Sequence, residues 1–390
     1  MAAAGWPNFG DELIATGWLR YLTEAAPDAD VWVDTHCPGS AAVLLSAEHP
    51  RVHFTDTLWR LCRDAPSDEP WEVAAWVRDV VQSPSRATRY SHGLELLSRA
   101  DLVHLIGGGY INTMWSRQVG LLAGVVAAAG RSGARTAMTG QGIAPVSPHC
   151  EPLVQAFADR FDVVDVRDAV SARILNVEPG VDDAFLTLGP QLFRIGPAPE
   201  FMVCLQSDLV EAGTSRLAAI ALATLKHWKV PQERLGFAEA IPGQDGQVYE
   251  LLRHEFPAAR FFPFDEVWAA GLPAFPSQVW LTSRFHVHLL AAAAGARGVA
   301  ISVHPDYYSV KHRSLAALGS GWTVHDDLGG VPDLPETAGF DPRVVERYRA
   351  AKRDLARSLY GRGSPAASPG GPAAPVQPSP NSNSAAKAAR

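Results

Sequence analysis

"LTSRFHVHLLAAAAGARGVAISV", residues 281–303, contains one full turn of an α/β fold. An apolar run breaks at Ser283, Arg284, Phe285, His286, Val287 and His288, passes into an alanine-rich helical stretch, and leaves through "GVAISV" (298–303). Strand, helix and strand in that order make a parallel crossover. In an open α/β sheet, ligands sit at the carboxyl ends of the strands, where these polar residues fall. A cation and two imidazoles at such a place admit three readings: a metal site, an acid/base site, or buried polar groups with local partners.

The same alternation extends in both directions. Upstream lie "FMVCLQSD" (201–208), a helix near Thr214 to His227, "RLGFAEAI" (234–241), a helix near Gln247 to Glu255 and "ARFFPF" (259–264). The first half repeats it with "VWVD" (31–34), "DLVHLIGGG" (101–109), "RTAMTGQG" (135–142) and "DVVDVRD" (162–168), separated by helical patterns at Asp11 to Thr23, Ser116 to Ala129 and Pro152 to Arg160. A chain of 390 residues is long for one hydrophobic core. The expected fold is therefore α/β, with two Rossmann-like doubly wound domains, 1–190 and 201–330, joined by a Pro/Gly-rich linker at 191–200. One large sheet with insertions is the competing architecture.

Residues 341–361 begin with an Asp N-cap and Pro at the first helical position, and apolar residues follow at helical spacing opposite an Arg-rich face. That face is either plain solvated surface or a peripheral dock for anionic lipid. The Pro/Ser/Ala/Gly-rich stretch 363–390 has little to bury and is expected to be disordered.

A net charge of −7 argues against a nucleic-acid partner, so any anionic ligand must meet a local basic cluster. The four cysteines, Cys37, Cys62, Cys150 and Cys204, form no CxxC pair, which fits free thiols in a reducing compartment. No signal peptide or membrane span is legible, and a cytoplasmic location is expected.

Several strand ends carry groups suited to a site. In "GWPNFGDELI" (5–14), Asn8, Gly10 and Asp11 sit where a turn enters a helix, either as a cap or as a place for an anion or sugar hydroxyl. Gly107, Gly108 and Gly109 let backbone approach a ligand, and Gln141 lies between glycines one strand later, so the two ends suggest a shared cleft. Neither is a GxGxxG dinucleotide fingerprint. Arg167 ends a strand facing the same edge, where it could take a carboxylate or phosphate, while Asp168 reads as a cap with Ser171 in the first turn. If the helix after Arg284 starts by Phe285 or His286, two residues of rotation separate His286 from His288 and disfavour a metal chelate. Arg284 and His286 then stand at a helix N-terminus, suited to an anion and to proton transfer. Lys311 and Arg313 follow the next strand, as surface charge or as part of the site.

Taken in order, "NFGDE", "GGG", "TGQGIAP", "VRDAVS", "DDAFL" and "SRFH…AAAAGARGVAISV…K" resemble the polysaccharide pyruvyl transferase family, over residues 5 to about 320. The resemblance implies a two-domain, glycosyltransferase-B-like fold and transfer of pyruvate from phosphoenolpyruvate to two hydroxyls of a saccharide, free or lipid-linked, giving a cyclic ketal. It places the family's Arg-apolar-His on Arg284, Phe285 and His286, its Arg-Asp on Arg167 and Asp168, and its later Lys on Lys311. His286 becomes the expected proton carrier, and Arg167, Arg284 and Lys311 the anion site; no redox cofactor or metal is implied. The alternatives are a nucleotide-sugar glycosyltransferase and a non-catalytic sugar-binding relative. One departure stands out: family members begin with an apolar strand before the Asn/Gly turn, and here only "MAAAGW" precedes it.

Overall fold

The structure, a computed structural model, describes residues 1–361; the disorder expected for 363–390 lies outside them. The second half contains β6 (Phe201–Cys204), β7 (Leu235–Ala238), β8 (Arg260–Phe262), β9 (Val279–Thr282), β10 (Arg297–Ile301) and β11 (Thr323–His325). They form one sheet in the order β8-β7-β6-β9-β10-β11, each neighbouring pair parallel. The chain winds outward from β6 to β8, returns beside β6 as β9, and winds outward again. All four residues of β9 are buried, as a strand covered by helices on both faces requires. The carboxyl ends of β6 and β9, where the winding reverses, are the switch point at which sheets of this kind bind ligands. The β6 loop carries Asp208 and the β9 loop Arg284. The two loops are tied where Ser283 N donates to Cys204 O at 3.1 Å and Gln206 N to Ser283 Oγ at 2.9 Å.

In the first half β1 (Val31–Asp34) pairs in parallel with β2 (Val52–Thr55), while β3 (Leu102–Leu105), β4 (Arg135–Gln141) and β5 (Val163–Val166) form a second parallel sheet. Residues 1–4 lie between the two. The Met1 amino group donates to His104 O at 2.8 Å, Ile106 N to Met1 O at 3.1 Å and Ala2 N to Asp34 O at 3.0 Å. Counting this short segment, the order runs β2-β1-(1–4)-β3-β4-β5, the same winding as the six-stranded sheet. Residues 1–4 stand where an apolar strand ahead of the Asn/Gly turn would lie. Beneath Met1 a cavity of about 770 Å³ separates Val31 and Val33 of β1 from Leu102 and Val103 of β3, roofed by Trp18, Leu19 and Leu22 of the helix Phe9–Ala25. Burial lowers the Met1 amine to a pKa of about 6.

The C-terminal helix Pro342–Tyr360 starts where expected, with the Asp341 carboxylate accepting from Arg343 N at 2.7 Å. It touches both halves. Tyr348 Oη donates to Leu318 O at 2.9 Å on the second half, and Tyr360 Oη lies 2.8 Å from His104 Nδ1 on the first. Lys352 is buried and donates to Asp183 at 2.8 Å and to Asp165. Burial works against its charge, but the two carboxylates outweigh it and hold Lys352 above the usual lysine range. Arg343, Arg347, Arg353 and Arg357 stay exposed on the other face. Among the described residues no helix is long and apolar enough to cross a membrane.

Candidate active site

A cleft of about 530 Å³ opens between the two switch points and is lined from both halves. On the first half, Asn8 caps the Phe9–Ala25 helix: its Oδ1 accepts from Gly10 N at 3.2 Å and its Nδ2 donates to Asp11 Oδ2 at 2.8 Å. The cap is therefore Asn8, and Asp11, freed from that task, faces the cleft. Burial raises its carboxyl pKa, against the pull of His286, Lys311 and Arg167.

Across the cleft the helix Phe285–Ala293 follows β9 directly, with Arg284 at its N-cap. His286 and His288 are split as helical rotation requires. His286 lines the cleft, whereas His288 is fully buried against His312. The His286 ring packs on the start of the first helix so closely that a Cβ on Gly10 would lie 1.8 Å from its Nδ1. Only glycine fits there. On the other side His286 Nε2 lies 3.4 Å from the buried carboxylate of Asp182.

Asp182 also accepts from Arg167 Nη1 at 2.9 Å and from Ala184 N at 2.8 Å. Burial alone would raise its pKa, but His286 and Arg167 hold it well below the usual carboxylate range. Arg167 ends β5, lies 4.2 Å over the Phe285 ring, and has a buried Nε without a partner. Its guanidinium passes over Gly109 and Gly142, where a Cβ would meet it at 2.9 and 2.6 Å. Lys311 Nζ approaches the same Gly109 face and stacks 3.4 Å from the centre of the Tyr307 ring. Burial, then the neighbouring Arg167, pushes the Lys311 ammonium well below its ordinary pKa. Two cations converging on one glycine, with a donor left over, make a place for an anion.

Other expected site residues fall elsewhere. Arg284 is not a free clamp: its Nε donates to Asp245 Oδ1 at 2.9 Å and its Nη2 to Asp208 Oδ1 at 2.6 Å, so two carboxylates already neutralise it. Burial disfavours its charge, but Asp245 and Asp208 more than restore it. Gln141 is fully buried outside the cleft, donating to Ile106 O and to Tyr110 Oη, because β3 and β4 keep pairing past their regular ends. Gly107 is faced by Asp183 and Gly108 by the Tyr110 ring, so of the three glycines Gly109 alone lines the cleft. These glycines make room for the protein's own side chains. Asp168 is the cap expected, accepting from Ser171 N at 2.7 Å, and Arg313 pairs with Asp326 at the surface.

The model of the polysaccharide pyruvyl transferase family matches residues 8–305, well over half of the chain. The chain belongs to the polysaccharide pyruvyl transferase family. Lys311 lies just beyond the matched stretch, whereas Asn8, Asp11, Arg167, Asp182 and His286 fall within it. No curated protein matches the sequence. Among solved structures, S. aureus MnaA with UDP is 13% identical, covering 90% of this chain and 87% of that one at a TM-score of 0.48. Anabaena Alr3699/HepE with UDP-glucose is also 13% identical, covering 92% and 93% at 0.48. The Neisseria meningitidis UDP-GlcNAc 2-epimerase is 10% identical, covering 91% and 92% at 0.47. None is close enough to carry over a substrate. For this family member, the residues that motif reading left without a role are Asp182, Asp208 and Asp245. Only the doubled acid in "DDAFL" gave a local signal.

Proposed function

We propose that the chain transfers a pyruvyl group from phosphoenolpyruvate to two hydroxyls of a saccharide in cell-envelope or exopolysaccharide biosynthesis. The observation that carries this reading is the juxtaposition of Arg167, Lys311 and His286 around Asp182 in one cleft. Phosphoenolpyruvate brings a carboxylate and a phosphate, and paired cations over a glycine suit either. The methylene carbon takes a proton, and the adjacent carbon, now oxocarbenium-like, is attacked by a first hydroxyl. The carbon–oxygen bond to phosphate breaks and a second hydroxyl closes the ketal. One hydroxyl proton balances the proton added to the methylene carbon; the other leaves with phosphate. His286, held between Gly10 and the Asp182 carboxylate, gives and takes these protons. Arg167 and Lys311 hold the anion, and Asp182 positions both Arg167 and His286.

His286→Ala is expected to abolish phosphate release from phosphoenolpyruvate while leaving its binding largely intact; unchanged turnover would remove His286 from the reaction. Phosphoenolpyruvate is also expected to raise the melting temperature. A rise with UDP and none with phosphoenolpyruvate would instead select a nucleotide-sugar enzyme.

A further inference from the structure

The cleft has a second wall, made of rings. Trp6, on the turn ahead of the first helix, is 69% exposed and has no ring partner among the described residues, whereas the exposed Trp32 and Trp71 each lie against a histidine. Trp115 is 40% exposed and lines the same cleft. His36 packs its ring 3.7 Å from Trp59, which in turn lies 5.2 Å from Tyr110, so a row of ring contacts backs the cleft from His36 to the strand end that bears Gly109. Burial, with Arg63 nearby, lowers His36 to a pKa of about 4, so this ring is neutral at physiological pH. Gln118, also lining the cleft, has a buried Oε1 that no donor among the described residues reaches.

Leaving a tryptophan in water forgoes most of the burial that such a large ring can make, and placing it on a cleft reserves that burial for a ligand. A buried carbonyl oxygen without a donor calls for one from outside. Rings that offer flat apolar faces, with a lone acceptor beside them, match a pyranose, which has an apolar face of C–H groups and a rim of hydroxyls. The cations of the cleft are engaged elsewhere than on these rings: Arg167 and Lys311 converge on Gly109, and Arg284 is paired with Asp208 and Asp245.

We infer that the wall is a subsite for a neutral sugar ring, stacked on Trp6 and Trp115 with one hydroxyl donating to Gln118 Oε1. The assignment of this ring as the acceptor, its reacting hydroxyls turned to His286, rests on the pyruvyl-transfer reading.

The test uses the full chain and the methyl glycosides of glucose, galactose, mannose and N-acetylglucosamine, followed by saturation-transfer NMR and tryptophan fluorescence. At least one glycoside is expected to bind and to quench fluorescence. Trp6→Ala, at an exposed position that the fold does not need, and Gln118→Leu, of similar volume, are each expected to weaken that binding about three- to tenfold. The melting-temperature rise caused by phosphoenolpyruvate should be the same in both variants. If no glycoside binds, or if both variants bind as the parent does, the subsite is wrong even where phosphoenolpyruvate stabilises the protein. If a glycoside binds through Trp6 and phosphoenolpyruvate has no effect, the sugar subsite stands and the pyruvyl-transfer reading falls.

Discussion

Arg284 shows what a local window can and cannot reveal. Its place at the carboxyl end of a buried strand is legible, because an apolar run ending in Ser-Arg before a helix has few other meanings. Its partners are not, since Asp208 and Asp245 lie 76 and 39 residues away in sequence and meet it only when β6, β7 and β9 pair. The same holds for Arg167 and His286, whose common neighbour Asp182 comes from a separate loop. Residue identity points to the cleft, and pairing across the fold decides which cation is free to bind. Removing Arg284 would leave the buried Asp245 carboxylate without its counter-charge. Arg284→Ala is therefore expected to cost about 3–5 kcal/mol of stability, read from urea unfolding. A loss below about 1 kcal/mol, within the usual range for exposed pairs, would show that the ion pair contributes little. Any loss of phosphoenolpyruvate binding in that variant has to be separated from this destabilisation.

At the level of elements, the helices Phe285–Ala293 and Val310–Ala317 are joined by a relay of imidazoles. Ser283 O can only accept, so His312 Nε2, 3.2 Å away, carries a hydrogen. His312 Nδ1 then accepts from His288 Nδ1 at 3.1 Å, and His288 Nε2 accepts from Ser320 Oγ at 2.9 Å. The relay is complete with both rings neutral. Burial lowers His312 to a pKa of about 4 and depresses His288 as well. Below the ordinary histidine pKa of about 6.5, the unfolded chain takes up protons that the folded chain refuses. Stability is thus full above that value and is expected to fall as pH drops from about 6.5 toward about 4, measured by urea unfolding across this range. A His312→Gln variant should lose part of the slope; an identical slope would assign it to other groups. The helix Thr214–His227 has the bounds that its periodicity predicts, because a long amphipathic helix is encoded locally. Residues 35–100 were not legible in this way. There β2 is four residues long with no buried position, and the short helices around it pack on one another with no glycine-marked strand end between them.

The two halves of the molecule carry strands wound in the same order, and the parallel winding could be read from the alternation of strands and helices alone. That the last helix returns across both halves could not, since its sequence specifies a helix and a cap but no destination. Lys352 fixes that destination through Asp165 and Asp183, residues that also hold the ends of β4 and β3: Gly140 N donates to Asp165 at 2.8 Å and Gly107 N to Asp183 at 2.9 Å. Lys352→Ala would strand the buried Asp183 carboxylate and the partly buried Asp165, and is expected to cost about 3–5 kcal/mol. In calorimetry the single transition expected of the parent should broaden or split; an unchanged profile would mean that the halves stay coupled without Lys352. Residues 1–4 are also the seam of the first half. Ala2→Pro would remove the N–H that Asp34 O accepts, so the amides of β1 and β2 should exchange with solvent faster in that variant.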